Sequence, residues 1–145
     1  GYGLLLWLGL LLPFHRQPPL PPAFGPVALI LALALVTAGL LASLAHLGHP
    51  ERAWRALSQW RTSWLSREGV AAVWCYLPAA AVLAVQLGYL PTDWLRWLGP
   101  LLSLSAAITI ACTAMIYASL RTVPQWRDWR VVPLYLLFAL ATGAV

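Results

Sequence analysis

Charged residues are scarce in this sequence of 145 residues, of which only 9% are charged. All nine basic residues are arginine, lysine is absent, and there are only four acidic residues. Soluble globular domains carry about 25% charged residues, so this scarcity excludes a water-soluble enzyme domain. A hydrophobic content of 61% excludes an intrinsically disordered chain. The net charge of +5 does not indicate nucleic-acid binding, because the arginines are spread between apolar blocks instead of forming one basic face.

Cysteine and histidine are also rare. The two cysteines, Cys75 and Cys112, lack the paired spacing of a zinc or iron–sulfur motif, and they are interpreted as small core residues. A haem with two histidine ligands needs two suitably placed helix histidines, and only His46 lies at the end of an apolar run. The sequence therefore predicts no metal and no haem bound by this chain.

Most of the sequence consists of long runs without a charged residue. They cover residues 17–45, 69–92 and 97–120. About 20 apolar residues suffice for a helix to cross about 30 Å of hydrocarbon. A proline cluster before Phe24 prevents helix formation there, so the runs predict membrane spans at about 24–45, 70–90 and 97–119. The predicted fold class is an all-α, polytopic transmembrane helix bundle in a single domain.

The two ends of the chain are apolar but short. We interpret residues 1–12 and 131–145 as partial spans and the chain as an internal piece of a longer protein. A signal peptide is the alternative for the start, but no basic segment precedes Leu4 and no small-residue cleavage site lies near Pro13.

Arginine positions predict the orientation. The loops at 46–69 and 121–130 hold seven of the nine arginines. Short loops rich in arginine tend to stay in the cytoplasm, which places these two loops on the cytoplasmic side of the membrane. The alternative is that the same arginines form a docking surface for a partner.

The loop at 46–69 has an amphipathic pattern. Pro50 and Glu51 suit the first turn of a helix. Apolar residues then recur at helical spacing, and polar residues mark the opposite face. The apolar face comprises Ala53, Trp54, Leu57, Trp60, Trp64 and Leu65, and the polar face comprises Arg52, Arg55 and Gln59. This pattern predicts an interfacial helix over about 50–66.

Two ionisable residues flank that loop on the same side of the bilayer. His46 ends one span and Glu68 begins the next. An ionisable residue at membrane depth is costly and indicates a functional site, and histidine exchanges a proton near neutral pH. A quinone needs an apolar slot, hydrogen-bond partners for its oxygens and a proton route. We therefore predict a quinone site in which His46 is the first proton acceptor and Glu68 the relay, with Trp64 in the pocket.

The span at 97–119 carries hydroxyl groups at every fourth residue. They belong to Ser105, Thr109, Thr113 and Tyr117, and Arg121 follows one turn later. One interpretation is helix packing, in which the hydroxyls bond across the bundle or to the backbone. The other is that Tyr117 and Arg121 complete the quinone pocket.

Two segments carry a family resemblance. The segments HLGHPERAWRALSQWRTSWLSRE at 46–68 and MIYASLRTVPQWRDW at 115–129 resemble the DmsC-type membrane anchor subunit of the dimethyl sulfoxide reductase family. That family includes the sulfite-oxidising type of molybdopterin oxidoreductase complex. The resemblance covers nearly the whole chain in layout and implies the first half of an eight-helix subunit.

The resemblance also implies partners and a role. It implies a complex in the bacterial inner membrane with a molybdopterin catalytic subunit and an iron–sulfur electron-transfer subunit, in which the anchor oxidises or reduces menaquinone or ubiquinone. The family's quinone-site histidine falls on His46, and the acid of its LSRE motif falls on Glu68. The resemblance also implies that the catalytic centre lies in a partner subunit, and it leaves both directions of electron flow open.

Other function classes remain as alternatives. They are a passive anchor without quinone chemistry, a cytochrome b-type haem subunit and a membrane transporter. A secondary transporter typically has broken helices and buried charges at the middle of the membrane. The runs at 70–90 and 97–119 contain no charge, which speaks against that class.

Overall fold

The computed structural model describes residues 1–14, 21, 23–46, 49, 52, 54–120 and 128–144. Regular structure in these residues is entirely helical, as the fold class predicted. The helices are α1 (Tyr2–Leu11), α2 (Phe24–Ala45), α3 (Trp54–Ser58), α4 (Trp64–Gln86), α5 (Leu95–Ala118) and α6 (Val131–Gly143), and a 3₁₀ turn at Thr92–Trp94 leads into α5.

Three of these helices are long and apolar enough to cross a membrane. They are α2 with 22 residues, α4 with 23, and α5, which with its leading 3₁₀ turn extends over 27. At 1.5 Å per residue, 22 residues extend about 33 Å, slightly more than the hydrocarbon core of a bilayer. The chain is therefore an all-helical membrane bundle. α1 and α6 are apolar but shorter, with 10 and 13 residues.

The structure interrupts the interfacial helix predicted over about 50–66 after α3. Residues 59–62 form a turn, because the amides of Thr62 and Ser63 both donate to the carbonyl oxygen of Gln59. Ser63 is extended, with φ −118° and ψ 127°, and α4 begins at Trp64, six residues before the predicted start of the span at 70. Between α2 and α4, α-helix in the described residues is confined to α3. Pro50 and Glu51 lie outside the described residues.

The side chain of Arg67 explains why no helix continues from α3 into α4. The guanidinium of Arg67 donates from Nε to the carbonyl oxygen of Trp60 at 2.9 Å and from Nη2 to that of Arg61 at 2.8 Å. In a continuous helix these two carbonyls would accept backbone amides four residues later. The side chain replaces those amides and stabilises a turn that bends the loop back onto α4.

α5 is the central helix of the bundle, in contact with α1, α4 and α6. Its contact with α1 is very close, because Gly9 and Gly99 face each other. Beside them the hydroxyl of Ser103 donates to the carbonyl oxygen of Leu6 at 2.7 Å. Small residues allow such close approach between helices in membranes, where dispersion contacts replace the hydrophobic effect.

Replacing Gly99 by leucine is expected to destabilise the bundle. A Cβ atom at Gly99 would lie 2.6 Å from the backbone oxygen of Gly9, which cannot move without shifting α1. Overpacking of this kind costs about 1–3 kcal/mol. Thermal unfolding of the protein in detergent measures the loss. Gly39→Leu is the control, because a Cβ atom at Gly39 meets no heavy atom within 4 Å. Equal unfolding midpoints for the two variants would contradict the close contact.

Candidate functional site

An apolar cavity of about 560 Å³ lies where α1, α2, α3 and α4 meet. Most of its wall is aliphatic, and one residue in it carries a carboxyl group. The lining residues are Gly1, Tyr2, Leu35, Val36, Gly39, Leu40, Ser43, Leu44, Trp54, Leu57, Leu65, Glu68, Gly69 and Val73. Its volume falls in the range of small-molecule sites, about 300–1,000 Å³. An apolar chamber with a single carboxylate suits a hydrophobic ligand that exchanges protons.

Glu68 lies in the second turn of α4 and is partly buried. Its Oε1 accepts a hydrogen bond of 2.6 Å from the hydroxyl of Thr113 on α5. Among the described residues no arginine or histidine forms an ion pair with this carboxylate. Glu68 is thus fixed by a neutral donor at the wall of the cavity, which leaves its charge available to a ligand or a proton.

His46 lies at the C-terminal end of α2 and is exposed. Its Nδ1 is 2.7 Å from the carbonyl oxygen of Ala42. A carbonyl oxygen only accepts, so Nδ1 must carry the hydrogen, and Nε2 of the neutral ring is then an acceptor. The ring itself does not line the cavity, but Ser43 and Leu44, in the preceding turn of the same helix, do. His46 therefore follows the cavity-lining part of α2 along the helix, and the Nε2 of its neutral ring is a proton acceptor.

The other predicted pocket residues lie elsewhere. Trp64 begins α4 and stacks beneath the guanidinium of Arg67, whose Cζ is 4.2 Å from the ring centroid. Tyr117 stacks on Tyr135 of α6 with ring centroids 5.6 Å apart. Neither Trp64 nor Tyr117 lines the cavity. Arg121 lies outside the described residues.

Three polar residues that the sequence did not single out for the pocket border this site. Ser43 and Tyr2 line the cavity. The hydroxyl of Tyr2 is buried and has no hydrogen-bond partner within the described part of the chain. Thr113 holds Glu68, and its place in the four-residue hydroxyl series of α5 was the signal that could have found it. No sequence pattern marks Tyr2, because the residues of α2 and α4 that line the cavity with it are distant in sequence.

A second groove, of about 440 Å³, lies along α4 and α5. Arg67 is its one charged lining residue, and that guanidinium already serves two carbonyls. Ser105 also lines it but donates to the carbonyl oxygen of Leu102. This groove holds no carboxylate or histidine from the described residues, so the cavity at Glu68 is the better candidate for proton-coupled chemistry.

Metal ligands are not clustered in the residues that the structure describes. Cys75 and Cys112 are buried free thiols. The hydroxyl of Ser105 lies 3.4 Å from Sγ of Cys75, a contact between neighbouring helices. Cys75 of α4 and Cys112 of α5 are therefore interpreted as packing residues.

Comparison with known proteins places this chain in a family. The family model for the DMSO reductase anchor subunit (DmsC) matches residues 23–145, which include the cavity walls from α2 to α4 as well as His46 and Glu68. A sulfite dehydrogenase subunit of Allochromatium vinosum is 41% identical over 138 residues, covering 83% of this chain and 40% of that relative's length. No solved structure matches. The chain belongs to the DMSO reductase anchor subunit family.

Proposed function

We propose that this chain is the quinone-binding part of an anchor subunit in a molybdopterin oxidoreductase complex. In this role it exchanges electrons between the membrane quinone pool and an iron–sulfur partner subunit. The observation that carries the proposal is the carboxylate of Glu68 in the wall of an apolar cavity of about 560 Å³, next to the helix end that bears His46. Membership in the anchor family supports a complex with a catalytic and an iron–sulfur subunit.

The cavity has the properties that a quinone requires. Its aliphatic wall from α2 and α4 suits the ring and the first part of an isoprenoid tail. Its polar wall includes Ser43 in the last turn of α2 and Glu68 in the second turn of α4, both near the loop between the two spans. Tyr2 adds a buried hydroxyl whose missing partner a quinone oxygen would supply.

The proton steps follow from the hydrogen bonds of the two ionisable residues. Oxidation of a quinol to a quinone releases two electrons and two protons. Nε2 of His46 accepts a proton because Nδ1 is committed to the carbonyl of Ala42. The carboxylate of Glu68 relays protons between the cavity and water, and the electrons leave to the partner subunit. Reduction of a quinone uses the same groups in reverse, so both directions of electron flow are open.

The loops at 46–69 and 121–130 are proposed to face the cytoplasm and the iron–sulfur subunit. Described arginines on this side, Arg52, Arg55 and Arg61, have exposed side chains. The guanidinium groups of Arg55 and Arg61 lie 5.5 Å from the ring centroids of Trp54 and Trp60, respectively. Tryptophan rings favour the headgroup region of a membrane, and the arginines stacked on them can bind an acidic protein partner.

Filling the cavity tests the proposal without removing a polar group. We expect Gly39→Phe to raise the KM for a quinol analogue by at least about tenfold, because the new ring occupies space at the cavity wall where no atom lies within 4 Å of the Cβ position. Steady-state kinetics of the purified complex, with quinol and with an artificial dye, measure the effect.

The matched control for this experiment is Ala38→Phe. Ala38 precedes Gly39 on α2, is exposed and does not line the cavity. Both variants add the same ring to the same helix, so only the cavity distinguishes them. Equal KM values for the two variants would rule out this cavity as the quinone site.

A further inference from the structure

We propose that Thr113 is a positioning residue for proton transfer through Glu68. Its hydroxyl holds the ionised carboxylate in place and turns to a backbone acceptor when the carboxyl group is protonated. The inference rests on the proposed quinone site, and it adds a residue on α5, a helix that does not line the cavity.

The geometry gives the Thr113 hydroxyl two acceptors for one hydrogen. Its Oγ1 lies 2.6 Å from Oε1 of Glu68 and 3.0 Å from the carbonyl oxygen of Thr109. A hydroxyl has one hydrogen to donate, so it serves one of the two at a time. Hydroxyl-to-carboxylate hydrogen bonds are short, about 2.5–2.7 Å, and about twice as strong as neutral ones. The shorter of the two distances favours donation to Glu68.

Protonation of Glu68 reverses that preference. The neutral carboxyl group carries its own O–H and becomes a weaker acceptor, while its O–H donates to Oγ1 of Thr113. The Thr113 hydroxyl then donates to the carbonyl of Thr109, one turn earlier in α5. Both protonation states therefore keep the Thr113 hydroxyl hydrogen-bonded to Glu68, and neither state leaves that hydroxyl without an acceptor.

The other charged or titratable groups near Glu68 do not replace this contact. Arg67, its neighbour in α4, directs its guanidinium to the carbonyls of Trp60 and Arg61. Tyr2 of α1 lines the same cavity, and its hydroxyl has no partner in the described part of the chain. Cys112 of α5 is a free thiol in the other groove. Within the described residues, Thr113 is thus the hydrogen-bond donor to the carboxylate.

The hydrogen bond from Thr113 fixes the carboxylate of Glu68 to α5, a well-packed helix. Thr109 is fully buried, and its hydroxyl donates to the carbonyl of Ser105 at 2.9 Å. A glutamate side chain has several rotatable bonds, and a fixed partner restricts them to the conformation that proton transfer needs. The effect of Thr113 should therefore appear in kcat for the quinol reaction more than in KM.

The test compares Thr113→Val, which has the same shape without the hydroxyl, with Thr113→Ser, which keeps the hydroxyl. In the assembled complex we expect Thr113→Val to lower kcat with quinol about tenfold and to leave KM within about twofold. Thr113→Ser should restore kcat to within about twofold. Infrared difference spectra should show the Glu68 carboxylate band, identified by its loss in Glu68→Gln, shifted in the valine variant and unshifted in the serine variant.

A double-mutant cycle separates positioning from packing. If Thr113 acts through Glu68, Thr113→Val should add no further loss in a Glu68→Gln background, whereas a packing defect would add to it. Additive losses, a serine variant as slow as the valine variant, or wild-type kcat in Thr113→Val would each overturn the inference. Should the valine variant fail to assemble, Thr113→Ala takes its place in both comparisons.

The same data distinguish this inference from the proposed function. If Glu68→Gln itself keeps full quinol turnover, the proposed quinone site is wrong whatever Thr113 does. If Glu68→Gln loses turnover while Thr113→Val keeps it, the site stands and only the role of Thr113 is wrong.

Discussion

Replacing His46 by alanine or arginine is expected to abolish turnover with quinol while leaving dye-dependent turnover of the catalytic subunit intact. Alanine removes the Nε2 acceptor that the bond from Nδ1 to the carbonyl of Ala42 leaves available. Arginine keeps a side chain at the helix end but only donates hydrogen bonds. General-base catalysis contributes about 10²–10⁴-fold, so quinol turnover should fall by at least about 100-fold.

The matched control is His49→Ala. His49 lies in the same loop, three residues further on, and is also exposed. The measurement is the ratio of quinol-dependent to dye-dependent turnover. Steady-state rates of the purified complex with a quinol analogue and with a dye of low potential give this ratio. A loss in both assays would indicate failed assembly instead of a lost proton acceptor. Full quinol turnover in the His46 variants would leave the chain as a passive anchor.

The second large effect is expected for Glu68→Gln. Glutamine has nearly the same shape, and its Oε1 can still accept the hydrogen bond of 2.6 Å that Thr113 donates to Glu68. The substitution therefore preserves the packing between α4 and α5 and removes only the ability to carry a proton. We expect kcat with quinol to fall about 10²–10³-fold, with dye-dependent turnover and thermal stability close to those of the wild type.

An acid outside the cavity provides the control for this variant. Asp93 lies in the 3₁₀ turn before α5 and is exposed. Asp93→Asn removes the same charge without touching the cavity, so its quinol turnover should equal that of the wild type. Equal quinol turnover in Glu68→Gln and Asp93→Asn would show that the carboxyl group of Glu68 carries no proton in the reaction.

The membrane helices were largely predictable from the sequence. Lipid offers no hydrogen bonds to the backbone, so a long uncharged run must form a helix whatever its neighbours are. The three runs without charge correspond to α2, α4 and α5. The start of α4 was less predictable, because the turn at 59–62 depends on the side chain of Arg67. Such a contact has no periodic signature.

The candidate site was predictable in its ionisable groups and not in its surroundings. His46 and Glu68 were marked by their chemistry, since an ionisable residue at membrane depth is costly and the motifs around both residues resemble a family pattern. Trp64 and Tyr117 were also predicted to line the pocket. In the fold, however, Trp64 stacks with Arg67 and Tyr117 stacks with Tyr135. Residue type identifies a candidate, and helix rotation decides what it contacts.

The scarcity of charge was enough to predict that this chain forms apolar helices in a membrane, and it limited the candidates for proton chemistry to a few residues. The helix packing determined which of those residues share a cavity, that Thr113 of α5 holds Glu68, and that Tyr2 of α1 lines the same chamber. The physical reason lies in the solvent. A helix in lipid is apolar on all sides, so its sequence does not reveal which face meets a neighbour, and close packing and a few hydrogen bonds make that choice.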